Sequence, residues 1–219
     1  MGQALKIDFI ADVVCPWCYI GWRRLETALA QRPEIQAEVT WRPYQLDPTI
    51  PEEGVDRKAY MAAKFTDPDR RAMMMQALTQ EAAVDHLELK LADIPVSPNT
   101  NAAHRLIRWA QGQGVQQPVL EAILKAYFIE LRDIGDPVVL ADIAEANGMD
   151  RLLVLDLLSQ GADKAQIAHE HGLAVQAGIT GVPCIIFDGR FAVMGCQSPE
   201  YLLRAIDKAV EKAAEPASN

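Results

Sequence analysis

Residues 5–29 read LKIDFIADVVCPWCYIGWRRLETAL and contain two cysteines, Cys15 and Cys18, separated by Pro and Trp. The apolar run before the pair predicts a buried strand over residues 5–11. The apolar positions after the pair are spaced three and four residues apart and predict a helix over residues 17–31. The sequence therefore places a Cys-x-x-Cys pair where a strand passes into a helix.

The start of a helix is a setting in which a thiol becomes reactive. Unpaired backbone N–H groups and a partial positive charge at a helix N-terminus both stabilise a thiolate on Cys15. Pro16 fits the first helical turn, where its missing N–H costs nothing. Because the thiolate is the nucleophile in disulfide exchange, the CPWC motif favours redox chemistry.

The same motif has two weaker interpretations, a metal site and a chance pair of cysteines. A structural zinc site needs a second pair of ligands. The other two cysteines, Cys184 and Cys196, have eleven residues between them and form no second Cys-x-x-Cys. None of the histidines has zinc-finger spacing; they are His86, His104, His169 and His171. We therefore expect no bound metal.

Composition and charge narrow the classes of function. The chain has 219 residues, of which 50% are hydrophobic, and a formal net charge of −9. Such a length supports a sizeable core, and the acidic balance argues against a nucleic-acid partner. There is neither an apolar run long enough to span a membrane nor a signal-peptide pattern. We expect a cytoplasmic protein with no membrane partner, in which four cysteines are not a disulfide framework.

The end of the chain predicts more strands. Alternating apolar residues predict a second strand over residues 38–43. Apolar runs over residues 182–187 and 190–194 flank Asp188-Gly189, the strongest short hairpin signal. A helix is expected after Ser198-Pro199, a typical helix start.

The middle of the chain, residues 49–177, has helical spacing of its apolar residues. Capping residues and prolines predict six helices in it, beginning near Asp67, Asn99 or Thr100, Gln117, Asp136, Asp150 and Asp163. Removing this segment leaves β-α-β followed by β-β-α, an α/β arrangement with a parallel first half and an antiparallel hairpin. We predict two domains, residues 1–48 plus 178–219 and residues 49–177.

This split arrangement, with CPWC after the first strand and Gly181-Val182-Pro183 before the third, resembles the thioredoxin superfamily. More narrowly, it resembles the DsbA family of the FrnE type, which is related to 2-hydroxychromene-2-carboxylate isomerase and kappa-class glutathione transferase. The resemblance implies a thioredoxin fold with a large all-helical insertion and the activity of a protein disulfide oxidoreductase or isomerase. The matching segments are FIADVVCPWCYIGW (9–22), RPYQLDP (42–48), NTNAAHRLIRWA (99–110) and GITGVPCIIFDGRFAVMGCQ (178–197).

The resemblance also implies roles for single residues. Cys15 matches the exposed nucleophile and Cys18 the partially buried resolving cysteine. Pro183 matches a proline held in a cis peptide bond, which lets the backbone of Val182 face an extended substrate or glutathione. Trp17, between the cysteines, is expected to be exposed and to contact substrate. No tightly bound cofactor is implied, and the partners are thiol- or disulfide-containing proteins or small molecules, with glutathione as a candidate co-substrate.

Cys184 and Cys196 are open to three interpretations. They are two small buried apolar residues, a second redox pair, or, for Cys184, a third metal ligand beside Cys15 and Cys18. A tight two-residue turn at the hairpin would pair Cys184 with Val193 rather than with Cys196. Disulfide geometry needs Cα atoms within about 7 Å, and the sequence does not give that distance.

Two other functions compete with disulfide exchange. Glutathione-dependent isomerases and transferases of the 2-hydroxychromene-2-carboxylate isomerase type are expected to carry serine where this chain has Cys15. A non-enzymatic holdase would work without Cys15. His104 is likewise open between a place at the border of the active-site cleft and a structural role in a helix.

Overall fold

The structure is a computed structural model that describes residues 4–214. Helices and strands alternate at both ends of the described chain, and helices dominate between them. In chain order the elements are β1 (Leu5–Ala11), α1 (Pro16–Ala30), β2 (Ala37–Pro43), β3 (Val55–Asp56), α2 (Arg57–Lys64), α3 (Pro68–Val84), β4 (Val96–Ser97), α4 (Asn101–Gly112), α5 (Gln116–Phe128), α6 (Pro137–Ala146), α7 (Arg151–Ser159), α8 (Lys164–Gln176), β5 (Cys184–Phe187), β6 (Phe191–Met194) and α9 (Pro199–Ala214).

Four strands form one sheet in the order β2-β1-β5-β6. β1 runs parallel to β2, with Ile7 opposite Val39, and α1 makes the crossover between them. β5 lies antiparallel to β1 on its other side, and β6 lies antiparallel to β5. The strands and the helix predicted around CPWC are confirmed, as is the β-α-β then β-β-α order of a thioredoxin fold.

Both faces of this sheet are covered, and neighbouring residues of β1 mark the two sides. Phe9 points towards α1, where its ring makes an edge contact with Trp22 and stacks on Trp41. Ile10 lies on the other face, in a cluster with Tyr44 and other apolar residues that α8 helps to cover. α1 and α9 pack together, whereas α4 and α8 contact β2. The helix α1, which follows CPWC, is therefore held against the sheet by an aromatic core.

The segment between β2 and β5 is mostly helical, as expected. Asp67, Asp136 and Asp150 each accept a hydrogen bond from a first-turn backbone N–H, so these three predicted helix starts are confirmed. Two elements were not predicted: α2, whose eight residues include no buried side chain, and a two-residue ladder between β3 and β4. Both are too short for the spacing of their apolar residues to stand out in the sequence.

The hairpin between β5 and β6 corrects one prediction. Its loop has three residues instead of two, and Cys184 pairs with Met194, not with Val193. Asp188 explains the longer loop: its backbone N–H donates to the carbonyl of Lys6 (2.8 Å), and its carboxylate accepts the Lys6 N–H (2.9 Å). These contacts hold Asp188 against β1, so the chain turns one residue later.

None of the helices within residues 4–214 combines the length and the apolar character that crossing a membrane requires.

Candidate active site

Cys15 is the residue that immediately precedes the first turn of α1. Its backbone is extended (φ −88°, ψ 112°), and its carbonyl accepts the N–H groups of Cys18 (3.0 Å) and Tyr19 (3.2 Å). Pro16 occupies the first helical turn, and no side chain caps this helix. The positive end of α1 is thus left to act on the Cys15 sulfur.

The two cysteines of the motif differ in their access. Cys15 is only 4% exposed and Cys18 is fully buried, and both are free thiols. Burial raises the pKa of the Cys18 thiol, and the hydrogen bond and charge of Cys15 raise it further. The expectation of an openly exposed Cys15 is wrong, because its sulfur lies beside the Val182 carbonyl and faces a cavity lined by residues of α2 and α3. Trp17, which was also expected to be exposed, is half-buried and packs against the core.

The loop before β5 comes close to Cys15. The Val182–Pro183 peptide bond is cis, and the Val182 carbonyl oxygen lies 3.9 Å from the Cys15 sulfur. Gly21 on α1 makes room for this loop, since a Cβ there would lie 3.1 Å from Cγ of Pro183. The structure therefore brings together four residues of the predicted site, Cys15, Cys18, Val182 and Pro183.

Cys15 opens onto a cavity of about 300 Å³. Trp17 and Val182 line it on the side of the sheet. Its opposite wall, which we call the methionine wall, comes from α2 and α3 and consists of Met61, Phe65, Met74, Met75 and Leu78. Methionine side chains are flexible and polarizable, so they adapt to apolar groups of different shape.

Two cationic side chains also line this cavity, Arg57 and Lys64. Arg57 donates to the hydroxyl of Tyr127 (3.0 Å). Lys64 donates to the hydroxyl of Tyr60 (2.7 Å), which in turn donates to the carboxylate of Asp47 (2.9 Å). These groups give a mainly apolar cavity a charged edge.

Asp12 and His104 form a buried pair next to the motif, and of the two only His104 was singled out from the sequence. Asp12 is 1% exposed, and its carboxylate lies 3.2 Å from Nε2 of His104 and accepts the backbone N–H of Leu46 (2.8 Å). Nε2 of His104 also lies 3.2 Å from the carbonyl of Tyr44. Because both neighbours are acceptors, this nitrogen carries a proton. Asp12 thereby connects the loop before Cys15 to α4. The sequence signal that could have identified Asp12 is an acidic residue directly after a buried strand.

The structure does not bring Cys184 and Cys196 together. Cys184 is fully buried in the cluster with Ile10, on the sheet face that α8 helps to cover, and burial raises its pKa. Cys196 packs on the opposite side, where Arg24 of α1 donates to its sulfur (3.5 Å). Burial raises the pKa of Cys196 to about 11, against the opposing effect of Arg24. This arrangement does not support a second redox pair.

Metal binding finds no support either. In the part of the chain that the structure describes, no three His, Cys, Asp or Glu side chains are grouped so that they could hold a metal ion. The interpretation of Cys184 as a third ligand beside Cys15 and Cys18 therefore has no geometric basis.

Three comparisons with known proteins agree with this architecture. The solved structure of SCO1869 from Streptomyces coelicolor, a probable DsbA oxidoreductase, is 27% identical, with a TM-score of 0.88 over 98% of this chain and 93% of that chain. The thiol:disulfide interchange protein DsbA of Pseudomonas aeruginosa is 29% identical over 104 residues, which are 47% of this chain and 49% of that protein.

The third comparison concerns the fold alone. The cytosolic disulfide reductase DsbM from Pseudomonas aeruginosa, solved with GSH, is 16% identical, with a TM-score of 0.64 over 94% of this chain and 96% of that chain.

The family described as DSBA-like thioredoxin domain matches residues 6–207. The chain therefore belongs to the DsbA-like thioredoxin-domain family of thiol-disulfide oxidoreductases.

Proposed function

We propose that this protein exchanges disulfides with protein or glutathione-type substrates through a mixed disulfide at Cys15. One observation carries the proposal: the Cys15 sulfur stands at the positive end of α1 and opens onto a cavity, while Cys18 is fully buried behind it. A substrate in the cavity reaches one sulfur of the pair and not the other. This asymmetry is what a nucleophilic cysteine and a resolving cysteine require.

The oxidising direction begins with Cys15 and Cys18 joined in a disulfide. A substrate thiolate attacks the Cys15 sulfur, a bond forms between them, and Cys18 leaves as a thiolate that takes up a proton. A second substrate thiolate then attacks the substrate sulfur and releases Cys15. Two substrate thiols have lost two electrons and two protons, and the enzyme disulfide has become two thiols.

The reducing direction is the reverse sequence. Cys15 attacks a substrate disulfide, one substrate sulfur leaves as a thiolate, and Cys18 then displaces the other. Burial keeps Cys18 protonated near neutral pH, so it does not compete with Cys15 for the first attack. It becomes the attacking group only when the mixed disulfide lies against it.

The surroundings of Cys15 suggest how a substrate is held. We assign substrate contact to Trp17 and to the backbone of Val182, since both line the cavity. A volume of about 300 Å³ is at the small end of ligand sites and suits one side chain of a peptide or a small thiol. Glutathione is supported as a co-substrate by the fold shared with DsbM, which was solved with GSH.

We further propose the FrnE type and a cytoplasmic location. Support for the location is the similar fold of DsbM, which is named a cytosolic reductase. A reducing compartment favours reduction, isomerisation or glutathione-linked exchange over net oxidation. The Pro-Trp dipeptide between the cysteines tunes the reduction potential, which sets the direction in practice.

The test is a thiol titration by intact mass. The protein is equilibrated in graded glutathione buffers, quenched with acid and alkylated, in the wild type, in Cys15→Ser and in the control Cys196→Ser. We expect one reversible two-electron transition that Cys15→Ser loses and Cys196→Ser keeps. The absence of any transition in the wild type would contradict the proposal and favour a holdase or a glutathione-transfer role.

A further inference from the structure

A second cavity, of about 640 Å³, lies away from both cysteines of the motif. It is surrounded by the beginnings of α4, α6 and α8 and by the end of α7, and we call it the polar cavity. Its lining includes amides, two cations and one acid: Gln45, Asn99, Asn101, Arg105, Lys164 and Glu52. Neither Cys15 nor Cys18 lines it, so its chemistry is separate from disulfide exchange.

Arg105 is the unusual group of this cavity. The residue is only 5% exposed, yet no carboxylate within residues 4–214 accepts a hydrogen bond from it. Its Nε and Nη2 donate to backbone carbonyls at the end of α7, those of Ala162 (2.5 Å), Leu157 (2.6 Å) and Leu158 (3.3 Å). Its Nη1 has no acceptor among residues 4–214. Burial lowers the pKa of this guanidinium, and the charges of Asp163 and Glu52 oppose that effect only in part, so the open place beside Nη1 favours an anion.

Two helix N-termini add to the positive potential. The residues that precede α4 and α8, Thr100 and Asp163, form no side-chain cap, although Asn99 accepts the N–H of Asn101 in the first turn of α4 (2.9 Å). The first-turn N–H groups of Ala102 and Ala165, two residues that line the cavity, have no acceptor within the described chain. Unpaired N–H groups and the aligned peptide dipoles make a helix N-terminus favourable for an anion.

The acids nearby offset this potential only in part. Asp163 precedes α8, but its carboxylate accepts the indole N–H of Trp109 (2.8 Å) and lies 3.7 Å from Arg108. Asp136 caps α6 by accepting the N–H of Val138. Among the described residues that line the cavity, Glu52 is the only acid. It pairs with Lys164 at the solvent-exposed edge of the cavity.

We propose that the polar cavity binds a small organic anion, a carboxylate or a phosphate ester. Arg105 Nη1 and the free N–H groups of Ala102 and Ala165 are the donors inside. Lys164 supplies a second positive charge when its ion pair with Glu52 opens and it pairs with the ligand instead. Both side chains of that pair are exposed, so the exchange costs little.

The first experiment is calorimetric titration of the full chain with inorganic phosphate and, separately, with succinate. We expect saturable binding of at least one probe, with a dissociation constant on the order of 1 mM for such minimal ligands. Comparison of the two probes distinguishes a phosphate site from a carboxylate site. Cys15→Ser should bind as the wild type does, which separates this proposal from the redox function.

Variants locate the site. Lys164→Gln should weaken binding about tenfold, the effect of one lost charge near the ligand. The matched control Lys125→Gln removes a similarly exposed, ion-paired lysine elsewhere and should change nothing. Ala168→Phe fills the cavity from an exposed position on α8 and should abolish binding, whereas His169→Phe, exposed on the same helix outside the cavity, should not.

Arg105→Gln is expected to abolish binding too, but it also removes the hydrogen bonds at the end of α7, so its fold is checked by circular dichroism. If this variant unfolds, Lys164→Gln and Ala168→Phe still decide. The proposal is overturned if neither probe saturates in the wild type. It is also overturned if Ala168→Phe binds as tightly as His169→Phe.

Discussion

Cys15 and Cys184 are both almost fully buried, and they differ in nearly everything else. Cys15 stands at the start of α1 and borders a cavity of about 300 Å³. Cys184 is the first residue of the hydrogen-bonded strand β5 and packs among Ile10, Tyr44 and Ile179. Two thiols of similar exposed fraction thus differ in their access to a ligand and in the helix N-terminus beside them, the two properties on which the proposed reactivity of Cys15 rests.

The largest expected effect comes from removing the Cys15 sulfur. Cys15→Ser should lower the rate of disulfide exchange by roughly a thousandfold or more, because an alcohol neither ionises near neutral pH nor forms a disulfide. Stopped-flow exchange with glutathione disulfide measures it. Cys196→Ser is the matched control and should stay within about twofold of the wild type. Exchange that survives in Cys15→Ser would transfer the chemistry to another cysteine.

The next effect is the order in which the thiols are alkylated. At pH 8 iodoacetamide should modify Cys15 at least about a hundredfold faster than Cys196. A pKa of about 11 leaves about one Cys196 thiol in a thousand ionised at that pH. The rate at Cys196 should therefore rise about tenfold per pH unit up to about pH 11 and then level off. Peptide mass spectrometry over pH 6 to pH 11 follows both sites, and equal rates at pH 8 would refute the distinction.

The methionine wall should have an intermediate effect. Met74→Glu places a negative charge in the cavity, where it opposes both the Cys15 thiolate and anionic glutathione, and should lower kcat/KM about tenfold. Met73 is the matched control, since it is the preceding residue and 71% exposed. Met73→Glu should leave kcat/KM unchanged. Equal losses in the two variants would mean that the wall does not contact substrate.

The smallest effect concerns stability. Cys184→Ser buries a hydroxyl among apolar side chains and should lower the free energy of unfolding by about 1–3 kcal/mol. Cys196→Ser keeps an acceptor for Arg24 and should cost less than about 1 kcal/mol. Urea denaturation under reducing conditions measures both. If the wild type gains stability on mild oxidation and either variant loses that gain, the two cysteines form a disulfide after all.

Much of this architecture could be predicted from local patterns. Strand periodicity, capping aspartates such as Asp67 and Asp136, and the Asp188-Gly189 turn each act within a few residues of themselves. α2 could not be predicted, because eight residues with no buried side chain are too few for their apolar spacing to stand out in the sequence. The hairpin register could not be predicted either, because it depends on the contact between Asp188 and Lys6 across the sheet.

The candidate site divides in the same way. CPWC at a strand-helix junction was enough to place Cys15 at the start of α1, since spacing and helix polarity are local properties of the chain. The buried contact of Asp12 with His104 joins residues 92 positions apart, and the methionine wall comes from helices far from the motif in sequence. The separation of Cys184 from Cys196 depends on which face of the sheet each one packs against. Such contacts arise only when distant segments meet, so only the folded chain reveals them.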